Sequence, residues 1–440
     1  MRRDVFRFRL KDISKISWIT FSVISITVLV FLSEWIQKVG IIIFPLGFRH
    51  VIILLLFFLN WLKFGRPIRL NQYYLFAVFL IFFYLIVSWI FVRVAPLNYL
   101  LGTGFTFLFI ILFIIASNTK SDVSVILKIF KLLLMFFLIM SIGPILQGLL
   151  AGTTLRLIPG LFRELGAFGS SMNIGVIISL SLYIVTGEKK YIYFAIFLSF
   201  GVFLTILKKS IFSNIIIWIA FAYTHFSQKY RLKLIIYGIF FIALSFSMVG
   251  DKFVKDVKVN IDYYKRVGPE GHVRVAMYVA SYKIAYDHFP FGSGMGTFGS
   301  LASIIGGYSQ VYIDYGVSKI GANAPQYVKM GQHTLLDTYW PHILAELGFF
   351  GAAVFLFLWL FPLLSTGHSM HLFTDPTIRG LSFYVIMVVL IMTNDGFTLY
   401  NPEIPSFVLL NSGIGGLCYY HVRNRKMIQD EESFILKKSS

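Results

Sequence analysis

Long runs of apolar residues, separated by short polar segments, make up most of the chain. A helix needs about 20 apolar residues to cross the hydrocarbon core of a bilayer, and about twelve runs approach this length. The runs are continuously apolar and do not alternate with polar residues, so they predict membrane-spanning helices and not the strands of a barrel. The predicted fold class is an all-α polytopic membrane protein.

The pattern predicts spans at the following positions: Ile16 to Leu32, Ile41 to Leu62, Tyr73 to Val92, Leu97 to Ser117, Val123 to Gly143, Asn173 to Val185, Tyr191 to Leu207, Ile211 to Phe226, Leu234 to Gly250, Asp337 to Leu364, Leu381 to Leu399, and Ile404 to His421. A long connection precedes the tenth span. It is too apolar for disorder, so we expect it to contain short helices of its own.

The spans and connections divide the chain into five regions. These are N-terminal transmembrane helices (1–150), central transmembrane helices with a first extracytoplasmic loop (151–250), a large extracytoplasmic loop (251–336), C-terminal transmembrane helices (337–421) and a cytoplasmic tail (422–440). Most short loops rich in Lys and Arg then lie in the cytoplasm, as the positive-inside rule expects. The basic N-terminal stretch lacks a small-residue cleavage site, so the first helix is predicted to be retained.

Composition supports this interpretation. Hydrophobic residues make up 57% of the chain and charged residues only 13%, about half the share in soluble domains. The net charge of +19 comes from Lys and Arg scattered through short loops, which favours membrane topology over a nucleic-acid partner. Cys418 is the only cysteine, which excludes an intramolecular disulfide and a cysteine-based metal cluster.

Four ionisable residues lie at the start of the tenth span, in the sequence GQHTLLDTYWPHILAELGFFG. They are His333, Asp337, His342 and Glu346. Such residues at membrane depth are costly and indicate a functional site. The spacing of His333 and Asp337 would also suit a metal, but no third ligand is evident and no metal is predicted. Glu346 is interpreted as a structural partner for a helix end or for a cation such as Lys208.

The large loop contains a predicted amphipathic helix from Val273 to Asp287, which ends at the corner His288-Phe289-Pro290. Arg274 and Tyr278 lie on one face of this helix. The run of alternating glycines that follows, GSGMG, is superficially like a dinucleotide-binding fingerprint. It follows no predicted strand, so we predict no cofactor and expect a tight loop that touches a membrane-embedded site.

Other cationic residues are candidates for substrate binding. Arg163 precedes a small-residue entrance to a short predicted helix, at whose start Asn173 could act as a cap. Lys208 and Lys209 lie at a predicted outer turn, where positive-inside statistics disfavour them; either the local topology differs or they face an anion. Arg49 follows a Pro and Gly break, and it either lines a lipid cavity or snorkels to the interface.

Three segments resemble the O-antigen polymerase and O-antigen ligase superfamily. RELGAFGSSMN resembles its pattern of Arg, Gly, Phe and Asn entering a helix, and Arg274 with HFPFGSGMGTF resembles its Arg, aromatic, Pro and Gly-x-Gly signature. DTYWPHILAELGFFG resembles its closing motif, in which a polar residue opens a helix and Glu and two glycines follow. The resemblance covers roughly Leu155 to Leu364.

The resemblance implies a glycosyltransferase that moves a glycan from an undecaprenyl diphosphate carrier to an acceptor, without a metal or a nucleotide sugar. It also implies a bacterial plasma (inner) membrane location, a site on the extracytoplasmic face, and lipid-linked donor and acceptor glycans as partners, with a chain-length regulator protein as a further candidate. Arg163 and Arg274 would hold the diphosphate, because guanidinium groups bind phosphate through charge-assisted hydrogen bonds. Lys208 and Lys209 would add charge, and Tyr278 a face for a sugar.

The residue at the position of the general base differs from the family pattern. The family usually has a histidine where this chain has Asp337, while His333 lies one turn before that position and His342 a little over one turn after it. An ordinary Asp, with a pKa of about 3.9 against about 6.5 for His, is the weaker base unless burial raises its pKa. We favour Asp337 as the base and keep both histidines as alternatives.

Three functions fit the sequence to different degrees. A polymerase that extends a lipid-linked glycan by one repeat unit is the leading hypothesis. A ligase that moves the finished glycan onto a lipid core or a protein is the second, since the sequence does not separate the two acceptors. A glycolipid transporter or flippase is the third. Transporters tend to have internal repeats and broken helices at midplane in matching halves, whereas here the polar residues cluster at one outer boundary and in one long loop, which favours an enzyme.

Overall fold

The computed structural model describes residues 46–64, 71–150, 165–205, 207–225, 273–305, 308–320, 323–329, 335, 338–370, 375–396 and 411–425. Within these ranges the chain is helical and contains no β-strand, which confirms the all-α fold class. The helices are α1 (Leu46–Phe64), α2 (Gln72–Val92), α3 (Pro96–Ser117), α4 (Val123–Leu150), α5 (Leu165–Thr186), α6 (Lys190–Leu204), α7 (Lys208–His225), α8 (Val273–Asp287), α9 (Ala302–Ile305), α10 (Val311–Asp314), α11 (Pro325–Lys329), α12 (Trp340–Met370), α13 (Pro376–Gly396) and α14 (411–425).

Six of these helices are long and apolar enough to cross a membrane, namely α2, α3, α4, α5, α12 and α13. The membrane class predicted from the sequence is therefore supported by the described helices. Helices lie over the predicted spans except the first and the ninth, which fall outside the described residues. The total of about twelve spans stays a prediction.

The centre of the bundle is α5, whose apolar stretch is 83% buried. It packs against α4, α6, α7 and α13. Small side chains permit this close approach: a Cβ on Gly169 would lie 2.5 Å from Ser210 Oγ, and one on Gly380 would lie 2.8 Å from Ser181 O. Small residues at helix contacts are the usual means of close packing between membrane helices.

The prediction of a helix beginning at Asn173 is wrong. The helix α5 begins at Leu165, so the small residues before Asn173 are helical and not part of a loop. Asn173 is fully buried; its Nδ2 donates to Ser210 O (2.9 Å), and its Oδ1 accepts from Asn214 Nδ2 (2.9 Å). It therefore joins α5 to α7 as an interhelical contact and does not cap a helix.

The bundle has two distinct ends. At one, which we call the loop end, α2 and α13 finish while α3, α7 and α12 begin; Tyr339 N, for example, donates to Gly396 O (2.9 Å). At the other, the far end, Arg423 Nη2 donates to Ser117 O (3.1 Å), and Arg379 Nη2 donates to Thr224 O (2.7 Å). The helices α8 and α9 join the loop end, since α8 packs against α12 and α9 against α3.

The long helix α12 contains a break at Gly348, where φ is +62° and ψ is −176°. Such a conformation is open to glycine at little cost but not to residues with a Cβ. The break also leaves the carbonyl groups before it without their regular helical partners. In a buried setting these carbonyls need hydrogen bonds from elsewhere, and the loop end supplies them.

Candidate functional site

A glycine loop, residues 292–300, follows α8 and lies in a cleft between α12 and the start of α3. The loop is almost wholly buried, and its backbone approaches the helices closely. A Cβ on Gly296, where φ is +81°, would lie 2.2 Å from Asn98 O. This contact with membrane-embedded helices agrees with the sequence prediction of a tight loop against such a site, and it accounts for the glycine run without a nucleotide.

The three carbonyl groups before the Gly348 break all accept hydrogen bonds from outside α12. Ser293 N donates to Ala345 O (2.9 Å), and Gly294 N donates to Glu346 O (3.1 Å). Tyr84 Oη, from α2, donates to Leu347 O (2.6 Å). The glycine loop thus completes the backbone hydrogen bonding of a broken membrane helix, as buried backbone groups require.

The Glu346 side chain is the centre of this arrangement. Its Oε2 accepts from Gly296 N (2.8 Å), and its Oε1 accepts from Phe298 N (2.7 Å) and Ser300 Oγ (2.7 Å). The side chain is fully buried. The structural role predicted for Glu346 is therefore supported, but its partner is the glycine loop and not a helix end or Lys208.

His342 lies one turn before Glu346 and is also fully buried. Its Nδ1 is 3.2 Å from Phe298 O and 3.3 Å from Glu346 Oε2, and its Nε2 is 3.1 Å from Thr106 Oγ1. A carbonyl oxygen only accepts, so Nδ1 carries a proton and, in the neutral ring, Nε2 accepts from the Thr106 hydroxyl. In this arrangement both ring nitrogens are engaged inside the protein.

Tyr84 links α2 to both sides of the cleft. Its hydroxyl has one proton, which is shared between Pro290 O (2.7 Å) and Leu347 O (2.6 Å). We expect Tyr84→Phe, which keeps the ring, to lower the free energy of unfolding by about 1–2 kcal/mol, because the buried Leu347 carbonyl and the partly buried Pro290 carbonyl lose their shared donor. Thermal unfolding in detergent would measure this. The matched control is Tyr73→Phe at an exposed position of the same helix, and an equal shift in both variants would contradict the assigned role.

Arg274 and Tyr278 lie on α8; the structure describes this helix from Val273, and its predicted end at Asp287 is confirmed. Arg274 is exposed in the first turn, and Tyr278 is half-buried one turn later. Burial raises the pKa of Tyr278 to about 12, although the charge of Arg274 lowers it. Near neutral pH the phenol keeps its proton, so Tyr278 can donate a hydrogen bond but is not a base. The helix reaches the glycine loop through Met277, whose Cε lies beside Gly299.

Lys208 and Lys209 form the first turn of α7 at the loop end. Lys208 is exposed, whereas Lys209 is half-buried and interacts with the carboxylate of Asp395, which also receives a hydrogen bond from Ser170. Asn394 Nδ2 donates to Lys209 O (3.4 Å), which fixes the turn against the end of α13. One anion that Lys209 faces therefore belongs to the protein itself.

The side chains of four predicted site residues lie outside what the structure describes. Arg163, His333 and Asp337 lie outside the described residues. Arg49 lies in α1, but its side chain also lies outside what the structure describes. Among the described residues no group of three His, Cys, Asp or Glu side chains could hold a metal ion.

Sequence reasoning missed several residues that build the site. Tyr84 and Thr106 sit inside apolar runs and are typical of buried or lipid-facing positions, so nothing in their surroundings marks them. Ser300 lies just beyond the glycine-rich segment that the sequence analysis singled out. The signal that pointed to the site was the presence of ionisable residues, His342 and Glu346, at the start of an apolar run.

Comparison with known proteins adds no assignment. No family model matches the chain, and no curated protein is detectably similar to it.

Proposed function

We propose that the protein is a glycosyltransferase that polymerises lipid-linked glycans. It would move a glycan from an undecaprenyl diphosphate carrier to a hydroxyl of a repeat unit held by a second carrier. One observation carries the proposal: parts of the three segments that resemble the polymerase and ligase superfamily lie at the loop end, two of them in direct contact and the third linked to them through α13. The glycine loop binds Glu346 of α12, the start of α12 contacts the end of α13, and Asp395 of α13 contacts Ser170 of α5.

The distribution of positive charge supports an outward-facing loop end. Lysines and arginines beside the far end include Lys120, Lys189, Lys190, Arg379 and Arg423. Cytoplasmic loops carry the excess of Lys and Arg in membrane proteins, so we place the far end in the cytoplasm. The loop end would then face the extracytoplasmic side of a bacterial plasma membrane, where lipid-linked repeat units would be accessible.

The proposed reaction is a direct displacement. The acceptor oxygen forms a bond to the anomeric carbon, the bond from that carbon to the diphosphate breaks, and the carrier diphosphate leaves with the electron pair. A base takes the proton of the acceptor hydroxyl, and the anomeric centre inverts. Arg274 is exposed at the loop end and would neutralise the diphosphate, which Arg163 would also contact.

The arrangement around His342 bears on the choice of base. Both of its ring nitrogens already have protein partners, and its side chain is fully buried. We therefore propose that His342 positions the glycine loop, and we keep Asp337, shortly before α12 begins at Trp340, as the base. A base must reach the proton that it removes, within hydrogen-bond distance or through one water.

The decisive experiment supplies purified protein in nanodiscs with undecaprenyl-diphosphate-linked repeat units and a chelator, and resolves the products as a glycan ladder. A ladder would support a metal-independent polymerase. Transfer that occurs only after a lipid core or a protein acceptor is added would show a ligase instead. No transfer to any of these acceptors, while a known polymerase works under the same conditions, would reject the proposal.

Arg274→Ala should weaken the ladder. The charge-assisted hydrogen bonds of a guanidinium to a phosphate contribute about 1.5–3 kcal/mol, so initial rates should fall about tenfold to a hundredfold. Lys283→Ala is the matched control, since Lys283 is also an exposed cation of α8 but lies on the opposite side of the helix. Equal rates in the two variants would remove Arg274 from the proposed site.

A further inference from the structure

The outward face of α8 has an unusual composition for a helix next to water. Its inward face packs into the protein through Ala276, Met277, Ala280 and Ile284. On the opposite side, at helical spacing, lie Val275, Val279, Tyr282 and Tyr286, the last two 58% and 69% exposed. A helix that borders water normally presents charged and polar residues there.

The charged residues of α8 lie along its two edges. With 3.6 residues per turn, Arg274 lies on one side of the outward stripe and Lys283 with Asp287 on the other. An apolar and aromatic stripe with charges along its sides is the pattern of a helix that lies in the interface of a bilayer. Tyrosines are enriched at that level because one end of the ring is apolar and the other is polar.

The carboxyl end of α8 leads to a residue that lies at membrane depth. Pro290 O accepts from the hydroxyl of Tyr84, which lies two turns before the end of α2. At 1.5 Å per residue this is about 12 Å below that helix end. Phe289, which precedes Pro290, is 70% exposed. A phenylalanine exposed at this depth borders lipid unless another part of the protein covers it.

The exposed aromatic stripe is continuous with lipid-facing surfaces of two candidate spans. Phe291 stacks on Phe91 of α2 with ring centres 5.3 Å apart, and Phe91 is 68% exposed. The Tyr282 ring lies 5.6 Å from that of Phe349 in α12, and the neighbouring Phe350 is 46% exposed. The surface therefore runs without interruption from the spans onto α8.

We propose that α8 is an interfacial helix and that Tyr282 and Tyr286, together with Phe289 in the turn after the helix, form a face that is immersed in the lipid leaflet at the loop end. We call these three residues the aromatic face. The occupant of this face is lipid, at the boundary between headgroups and acyl chains. The proposal does not depend on the glycosyltransferase function, because it concerns only where the helix lies.

The test places an environment-sensitive fluorophore on single cysteines of the full chain, after the buried Cys418 is replaced by Ala. Tyr282→Cys, Tyr286→Cys and Phe289→Cys report on the aromatic face. Lys283→Cys and Asp287→Cys, on the same helix but off that face, are the matched controls. Each variant is reconstituted singly into nanodiscs of phosphatidylethanolamine and phosphatidylglycerol, so that a second copy of the chain is absent.

Two quenchers then separate lipid from water. We expect lipids with a spin label on the acyl chain to quench the three positions of the aromatic face, with a blue-shifted emission, and aqueous iodide to quench the two controls. Iodide quenching at all five positions would overturn the proposal, because the face would be in water. Protection of the aromatic face from both quenchers would also overturn it, because another part of the chain would then cover the face.

Discussion

Glu346→Ala is expected to destabilise the protein by about 3–5 kcal/mol, since it leaves buried donors without their acceptor. The three donors are Gly296 N, Phe298 N and Ser300 Oγ, and each lies 2.7–2.8 Å from the carboxylate. Alanine also leaves space where the side chain was. Because the three bonds share one side chain, their effects should not simply add. Unfolding by heat or by denaturing detergent, followed by intrinsic fluorescence, would measure the loss.

Two further variants sharpen this test. Glu346→Gln keeps one acceptor oxygen but turns an amide nitrogen toward donors, so its loss of stability should be smaller than that of the alanine variant but clearly measurable. Glu188→Gln is the control, because Glu188 is an exposed carboxylate paired with Lys190, and such pairs contribute about 0–1 kcal/mol. A Glu346→Ala protein as stable as the Glu188→Gln protein would contradict the role assigned to Glu346.

Gly296→Ala is expected to cost about 2–5 kcal/mol, the sum of a backbone effect and a steric effect. The left-handed conformation at φ +81° disfavours any residue with a Cβ, and the new Cβ would lie 2.2 Å from Asn98 O. Backbone atoms of α3 cannot move aside as a flexible side chain can. The variant should therefore unfold at lower temperature, and the glycine loop should become accessible to protease.

Gly316→Ala separates the backbone effect from the steric effect on stability. At Gly316 φ is +72°, close to that of Gly296, but no atom lies within 4 Å of the added Cβ. This variant should show only the conformational cost, about 1–2 kcal/mol. If the two alanine variants were equally stable, the close contact between the glycine loop and α3 would not exist in solution.

The helices were predictable wherever the local pattern was strong. The bounds Val273–Asp287 followed from apolar periodicity and from the stop at Pro290, both of which lie within one helix and its turn. The start of α5 was not predictable in this way. The small residues before Asn173 predicted a loop, and Asn173 itself predicted a helix cap. In a membrane bundle such residues instead provide close packing and hydrogen bonds between helices.

The candidate site was predictable only in part, for a similar reason. Glu346 and His342 were visible because ionisable residues are rare within apolar runs. Their partners were not, since Thr106 lies 236 residues from His342, and no pattern along the chain connects two such distant positions. The Lys209 environment shows the same limit: two lysines at an outer turn indicated either a different local topology or a nearby anion, and only the structure shows that Asp395 in another helix supplies an anion for Lys209.

The order of synthesis along the chain determines when the Glu346 contacts can form. The donors of the glycine loop are translated 46–50 residues before their acceptor. When the glycine loop has emerged from the ribosome but Glu346 has not yet been made, these donors have no protein acceptor. Chains fold from the amino terminus during synthesis, so this region can close only after the first two turns of α12, which carry Glu346, have been made. Premature termination before Glu346 would thus leave the loop end unassembled, even with the eleven described helices that precede α12, α1 to α11, complete.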